Sequence, residues 1–149
     1  MKIQIEFPSD NEGFTLLQCP FCGDFFKLNP SNMQDDKILQ IHCPYCGQSN
    51  DSFFTKEIID LSMTMTKNLA INQIYGVFES LEQQTHKKQL SFKADKKPKY
   101  EYAKTIFNTL DELSKKKYEC CKLEAKIKPI MKIAGTYCPF CGVKNFEIN

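Results

Sequence analysis

The sequence predicts an α+β fold: two small cysteine-rich β modules, one towards each end, connected by a long amphipathic helix and a basic linker. Three observations predict it. A five-residue cysteine phrase recurs at both ends of the chain, residues 55–86 repeat apolar side chains at helical spacing, and most lysines lie beyond residue 86.

The phrase occurs as Cys19-Pro20-Phe21-Cys22-Gly23, Cys43-Pro44-Tyr45-Cys46-Gly47 and Cys138-Pro139-Phe140-Cys141-Gly142. Each copy reads as a knuckle, a tight turn that aims two sulfurs at one point. Proline pre-sets the turn, and glycine permits the positive φ that faces backbone amides toward the thiolates. The 20 residues from Gly23 to His42 separate the first two knuckles. Together they supply Cys19, Cys22, Cys43 and Cys46, a set that closes a tetrahedral structural Zn²⁺ site. Eight cysteines in a chain without a signal peptide or membrane span point to metal rather than disulfides, and a reducing, cytoplasmic setting is consistent with that. Met1-Lys2-Ile3-Gln4-Ile5 reads as an alternating strand.

Around the first site, Phe14-Thr15-Leu16-Leu17 leads into knuckle one and Phe25-Phe26-Lys27-Leu28 leads out. Asn29-Pro30-Ser31-Asn32 signals a turn, and Ile38-Leu39-Gln40-Ile41 leads into knuckle two. Short β-prone runs entering and leaving each knuckle describe a zinc ribbon, whose strands are too few to fold without metal.

The period then changes. Ile58, Leu61, Met65, Leu69, Ile74, Phe78 and Leu81 recur at helical spacing with one slip, Thr55 is placed to cap the helix, and Glu57 falls in its first turn. Gly76 is a candidate bend. Such a stripe serves a core or a dimer seam, so a partner chain or a second copy is implied along residues 55–86. Residues 87–103, with Lys87, Lys88, Lys93, Lys96, Lys97 and Lys99, form an exposed basic linker. A short amphipathic helix is expected next, with Ile106, Leu110 and Leu113 inward and Asp111–Lys115 and Glu112–Lys116 as i,i+4 pairs.

The C-terminal segment repeats the first module in reduced form. Tyr118-Glu119-Cys120-Cys121 echoes the first knuckle, as if two residues inside it were deleted. Ala125-Lys126-Ile127 echoes Phe26-Lys27-Leu28, and Thr136-Tyr137 leads into the last knuckle as Ile41-His42 leads into the second. The 16 residues between Cys121 and Cys138 suit one β-hairpin turning near Pro129 or Gly135. Cys120, Cys121, Cys138 and Cys141 then make a second set, giving two Zn²⁺ per chain. For adjacent cysteines to reach one metal, the chain must leave the strand conformation between Glu119 and Lys122, because side chains alternate along a strand.

On these motifs, residues 14–48 resemble a transcription factor IIB-type zinc ribbon, and residues 118–146 resemble a degenerate second ribbon. The likeness covers under half the chain, and the vicinal Cys120-Cys121 departs from the family pattern. It implies contact with nucleic acid or a polymerase-like partner. The organisation read from the chain is an N-terminal zinc ribbon at 1–50, a helical connector with the basic linker at 51–117, and a degenerate ribbon at 118–149.

Charge bears on the partner. Residues 1–85 hold 5 Lys and 11 acids, a balance of −6, whereas residues 86–149 hold 15 Lys and 7 acids, a balance of +8. A basic half suits phosphate, so Lys87, Lys88, Lys96, Lys97 and Lys99 are candidate nucleic-acid contacts, with Tyr100, Tyr102 and Phe107 available to stack on bases. Absence of Arg argues against strong base-specific readout. The same lysine excess also fits a compositional bias, since Arg and Trp are absent and Asn, Ile and Phe abound. The alternative is a protein-docking or adaptor subunit whose ribbons and long helix bind a partner chain.

Catalysis finds no support. Cys-Pro-Tyr-Cys resembles a glutaredoxin motif, but it occurs three times in related form, is followed by glycine, and has no βαβ surroundings. His42 adjoins Cys43, yet four sulfurs already close that site and leave no open position for activated water.

Overall fold

The computed structural model describes residues 7–85, 93, 95–102 and 112–146. These divide between two compact units: a helical one within residues 57–105, and one built from residues 6–56 together with 106–149. The expected strand at residues 1–5, Lys87 and Lys88, Phe107, and the apolar positions Ile106 and Leu110 lie outside the described residues.

The second unit is two β-β-α-β-β modules. The first comprises β1 (Thr15–Gln18), β2 (Phe25–Leu28), α1 (Pro30–Met33), β3 (Ile41–His42) and β4 (Ser49–Asn50). Asn29 caps α1, its side chain accepting from the Ser31 amide, with Pro30 inside the first turn as sterics favour. The second module comprises β5 (Ser114–Tyr118), β6 (Leu123–Ile127), α3 (Pro129–Ala134), β7 (Thr136–Tyr137) and β8 (Lys144–Asn145). Two expectations change here. The segment between Cys121 and Cys138 is a strand, a helix and a separate short strand rather than one hairpin, because β7 pairs with β8. Lys115 and Lys116 stand in β5, not on a helix, and Lys115 reaches Glu12 at 2.9 Å.

The two modules form one sheet in the order β1-β2-β6-β5, joined at the centre by the antiparallel β2–β6 pair, with Lys27 opposite Lys126 and Leu28 opposite Ala125. This register relates the halves by an approximate two-fold axis through the Lys27/Lys126 pair. The contacts beyond the sheet repeat the relation. His42 N donates to Pro139 O at 2.8 Å, and Tyr137 N donates to Pro44 O at 2.9 Å. A Cβ on Gly47 would stand 3.0 Å from the Tyr137 ring, and one on Gly142 would stand 3.0 Å from the His42 ring. Both glycines also have φ near +75°, at +76° and +75°. Gly142→Ala is therefore expected to destabilise the unit by about 1–3 kcal/mol, from strained φ plus the displaced ring. Chemical denaturation checks it, and an unchanged midpoint would dismiss the close approach.

One core serves both halves. Leu17, Phe26, Leu28 and Phe53 from the first pack with Tyr118, Ala125, Ile127 and Phe140 from the second. Tyr45 stitches the seam, donating its hydroxyl to Phe25 O at 2.7 Å and accepting from the Lys128 amide at 3.0 Å.

In the other unit, α2 (Lys56–Thr85) runs for 30 residues, about 45 Å, and continues through Gly76 without a break. Among the stripe residues only Ile58 is buried, while Ile74 and Leu81 are exposed. Part of the expected linker runs beside this helix: Tyr75 Oη donates to Lys96 O at 2.9 Å, Lys97 reaches Asn72 at 2.6 Å, and Asn68 Nδ2 donates to Glu101 O at 2.9 Å. No helix among the described residues is long and apolar enough to cross a membrane.

Candidate metal centre

The eight cysteines gather into two groups of four, Cys19/Cys22/Cys43/Cys46 and Cys120/Cys121/Cys138/Cys141. Within each, the sulfurs lie within 4.8 Å of one another. None is disulfide-bonded. Cys19 and Cys46 sulfurs are 3.7 Å apart, Cys22 and Cys43 sulfurs 3.6 Å, and Cys120 and Cys141 sulfurs 3.4 Å. A tetrahedron of sulfurs about 2.3 Å from a central Zn²⁺ has edges of about 3.8 Å, whereas a disulfide needs about 2.05 Å. The donors therefore fit a four-coordinate thiophilic ion.

Backbone geometry explains how the knuckles hold sulfurs. In each C-P-aromatic-C-G turn the glycine amide returns to the first cysteine carbonyl: Gly23 to Cys19, Gly47 to Cys43 and Gly142 to Cys138, at 2.9, 2.9 and 2.8 Å. This exposes the intervening amides to the sulfurs, and the Tyr45 amide donates to Cys43 Sγ at 3.4 Å. Burial opposes ionisation of Cys19, but the amides of Cys22 and Phe21 together with the Cys22 and Cys43 thiols bring it below its ordinary value. Burial pushes the Cys43 and Cys138 thiols up, and takes Cys121 to about 11. Buried thiols of this kind favour the neutral form until a cation makes the thiolate the stable species, so a cation completes both clusters chemically.

The vicinal pair shows what the second site changed. The chain leaves the strand after Tyr118 and turns through Glu119–Lys122, with Lys122 in the left-handed region at φ +59° and its amide donating to Tyr118 O at 2.8 Å. Gly23, at φ +77°, does the same toward Cys19 O. Lys122 thus stands for Gly23, Cys121 for Cys22, Cys120 for Phe21 and Tyr118 for Cys19. No residues are deleted from the turn, contrary to the reading of a shortened knuckle. The first ligand moves instead two positions along a turn of the same length. Tyr118 is fully buried where Cys19 would be, its hydroxyl bonded to Thr136 Oγ1 at 3.1 Å, and Cys120 reaches the cluster from the exposed tip. Asn145 Nδ2 lies 3.6 Å from Cys120 Sγ.

His42 belongs to neither cluster. It sits in β3 opposite Ser49 with its ring against Gly142. Of the candidate nucleic-acid lysines, Lys96, Lys97 and Lys99 are exposed, with Lys97 turned to Asn72 and Tyr100. Ion pairs across the halves were missed from sequence: Lys126 with Asp10 at 2.6 Å and Glu12 at 3.3 Å, and Lys128 with Asp24. The opposite charges of the two halves were the available signal. No family model, curated protein or solved structure matches the chain.

If both vicinal sulfurs are ligands, Cys120→Ser and Cys121→Ser should each lower bound metal from two toward one per chain against a competing chelator. Each should also lower the melting temperature, since structural sites are almost always four-coordinate. Metal counting with thermal melting checks this, and a variant that keeps both values clears its cysteine of the role.

Proposed function

We propose that the protein is a non-catalytic Zn²⁺ module that holds two ions per chain and serves as a docking subunit for another protein. Four thiolates at tetrahedral spacing favour zinc among the thiophilic ions and leave no coordination position for a substrate. Elemental analysis tests the first half: two zinc per chain is expected, and iron or less than one metal per chain would refute it.

One observation carries the choice of partner. Part of the lysine excess of the C-terminal half is taken up by ion pairs to acids of the first module. Lys115, Lys126 and Lys128 pair with Glu12, Asp10 and Asp24 of the first module, and Lys122 pairs with Glu119. The surface of the ribbon unit also carries large apolar groups: Phe21, Leu39, Ile130, Ile133 and Phe146 are each more than half exposed. Exposed apolar groups of this size favour a protein partner over a polyanion. The likeness to transcription factor IIB-type ribbons is compatible with docking onto a polymerase-like assembly.

The competing reading, nucleic-acid contact through Lys87, Lys88, Lys96, Lys97 and Lys99, makes an opposite demand. It requires oligonucleotide binding that falls steeply with salt and weakens when Lys96, Lys97 and Lys99 become Glu. The docking reading expects no such binding at low salt, and a nuclease-resistant stoichiometric protein complex from the native cells. Salt-sensitive oligonucleotide binding lost in the Glu variant would replace the docking reading.

A further inference from the structure

The ribbon unit carries a groove of about 370 Å³. Its floor is Leu17 and Phe53, both core residues. Around them stand Met33 of α1, the stacked rings of Phe7 and Phe54 with centroids 5.0 Å apart, and Leu39, which is 92% exposed. Apolar side chains at floor and mouth, with no charged group on the floor, suit the insertion of other apolar side chains.

The charge at its rim decides what those side chains come from. Six acids lie between Phe7 and Thr55. Asp10, Glu12 and Asp24 are ion-paired with lysines at the sheet. Asp35, Asp36 and Asp51 form no salt bridge among the described residues, and all three are exposed. Asp51 lines the groove, and Asp35 and Asp36 follow Gln34, which lines it too. Lys37 is the one lysine in the sequence from Asp35 to Asp51, so three acids against one lysine leave this segment at −2. Acids are thus neutralised internally everywhere in the first module except at the groove.

We infer that this groove docks an apolar segment of another polypeptide flanked by lysine or arginine. The inference rests on the protein-docking reading above. Apolar anchors enter the groove while the basic flanks lie against Asp35, Asp36 and Asp51, the arrangement of a dry centre inside a charged rim.

Fluorescence anisotropy on the zinc-loaded full chain tests it, with a labelled synthetic peptide carrying Lys-Lys at both ends of a Phe/Leu centre. Binding on the order of 10 μM is expected, at least ten-fold tighter than for the same peptide with Glu in place of Lys. Leu39→Ser should weaken binding about ten-fold with metal content unchanged, and Asp36→Lys with Asp51→Lys should erase the preference for the basic peptide. Equal binding of the two peptides, or an unaltered preference in the Asp variant, overturns the inference. So does a dimer that Leu39→Ser dissociates, since the occupant would then be a second copy. If neither peptide binds and oligonucleotides also fail to bind, the groove assignment falls and the docking reading stands. Salt-sensitive oligonucleotide binding removes the reading underneath.

Discussion

Removing the metal is expected to unfold both halves of the ribbon unit in one step. Cys19, Cys43 and Cys138 are not peripheral ligands but members of the single core, packed with Leu17, Phe26, Tyr118 and Phe140. The strands that carry the knuckles are two to five residues long, too short to persist alone, and β3–β4 and β7–β8 are two-residue pairs. Structural zinc contributes about 10–16 kcal/mol of apparent binding free energy in such modules, more than a small domain's whole stability. Excess chelator should therefore abolish the near-ultraviolet signal of half-buried Tyr45 and buried Tyr118 in a single transition, and metal should restore it. Because the β2–β6 pair makes the halves share one sheet, Cys43→Ser and Cys138→Ser should each disturb tyrosines on both sides of the seam. Two independent transitions would show that the halves fold separately. Retention of the tyrosine signal without metal would make the clusters decorations on a self-sufficient core.

Much of the candidate site was legible in the sequence because its determinants are local. A C-P-aromatic-C-G phrase encodes its own turn, and Ile58 to Leu81 announce a helix by spacing alone. Pairing between modules is not local, and Lys27 and Lys126 hid it. Lysine in a strand reads as a solvated position, yet Lys27 is 2% exposed at the centre of the sheet. The same blindness placed Lys115 and Lys116 on a helix with Asp111 and Glu112. Their carboxylate spacing fits i,i+4 pairing, while the strand pairing Lys116 opposite Ala125 depends on a segment nine residues further on. The moved ligand at Cys120 was invisible for a related reason. Aligning cysteine with cysteine suggests a deletion, whereas the backbone aligns Cys19 with Tyr118 because Gly23 and Lys122 share the same left-handed turn. Spacing of ligands shows which residues meet, and main-chain geometry shows how.

Asp10→Asn is expected to destabilise the ribbon unit by about 2–4 kcal/mol, nearly the cost of breaking a buried ion pair. Asp10 holds the centre of the sheet from one side. Its Oδ1 accepts from the Glu12 amide at 3.0 Å and the Phe14 amide at 2.9 Å, while Oδ2 stands 2.6 Å from Lys126 Nζ and 3.5 Å from Lys27 Nζ. One carboxylate thus serves both lysines of the two-fold pair: Lys126 also reaches Glu12 at 3.3 Å, whereas buried Lys27 has its ion pair with Asp10. Asparagine keeps the turn contacts but removes the charge, so the loss isolates the ionic part. Burial works against ionisation here, yet the Lys126 ammonium and the two amides hold the carboxyl at about 2. A carboxyl depressed in the folded state stabilises fully above its unfolded pKa near 3.8, and that contribution fades as pH falls from there through about 2. The difference between wild type and Asp10→Asn should hence stay constant from pH 5 to 8, where Asp10 is ionised in both states. A difference that varies across that range would assign the effect to another group. Adding Lys27→Met to Asp10→Asn should recover part of the loss, because an apolar side chain in that buried place no longer needs a counter-ion. If the double variant is as unstable as the sum of the single ones, Lys27 does not depend on Asp10, and the carboxylate acts through Lys126 and the turn alone.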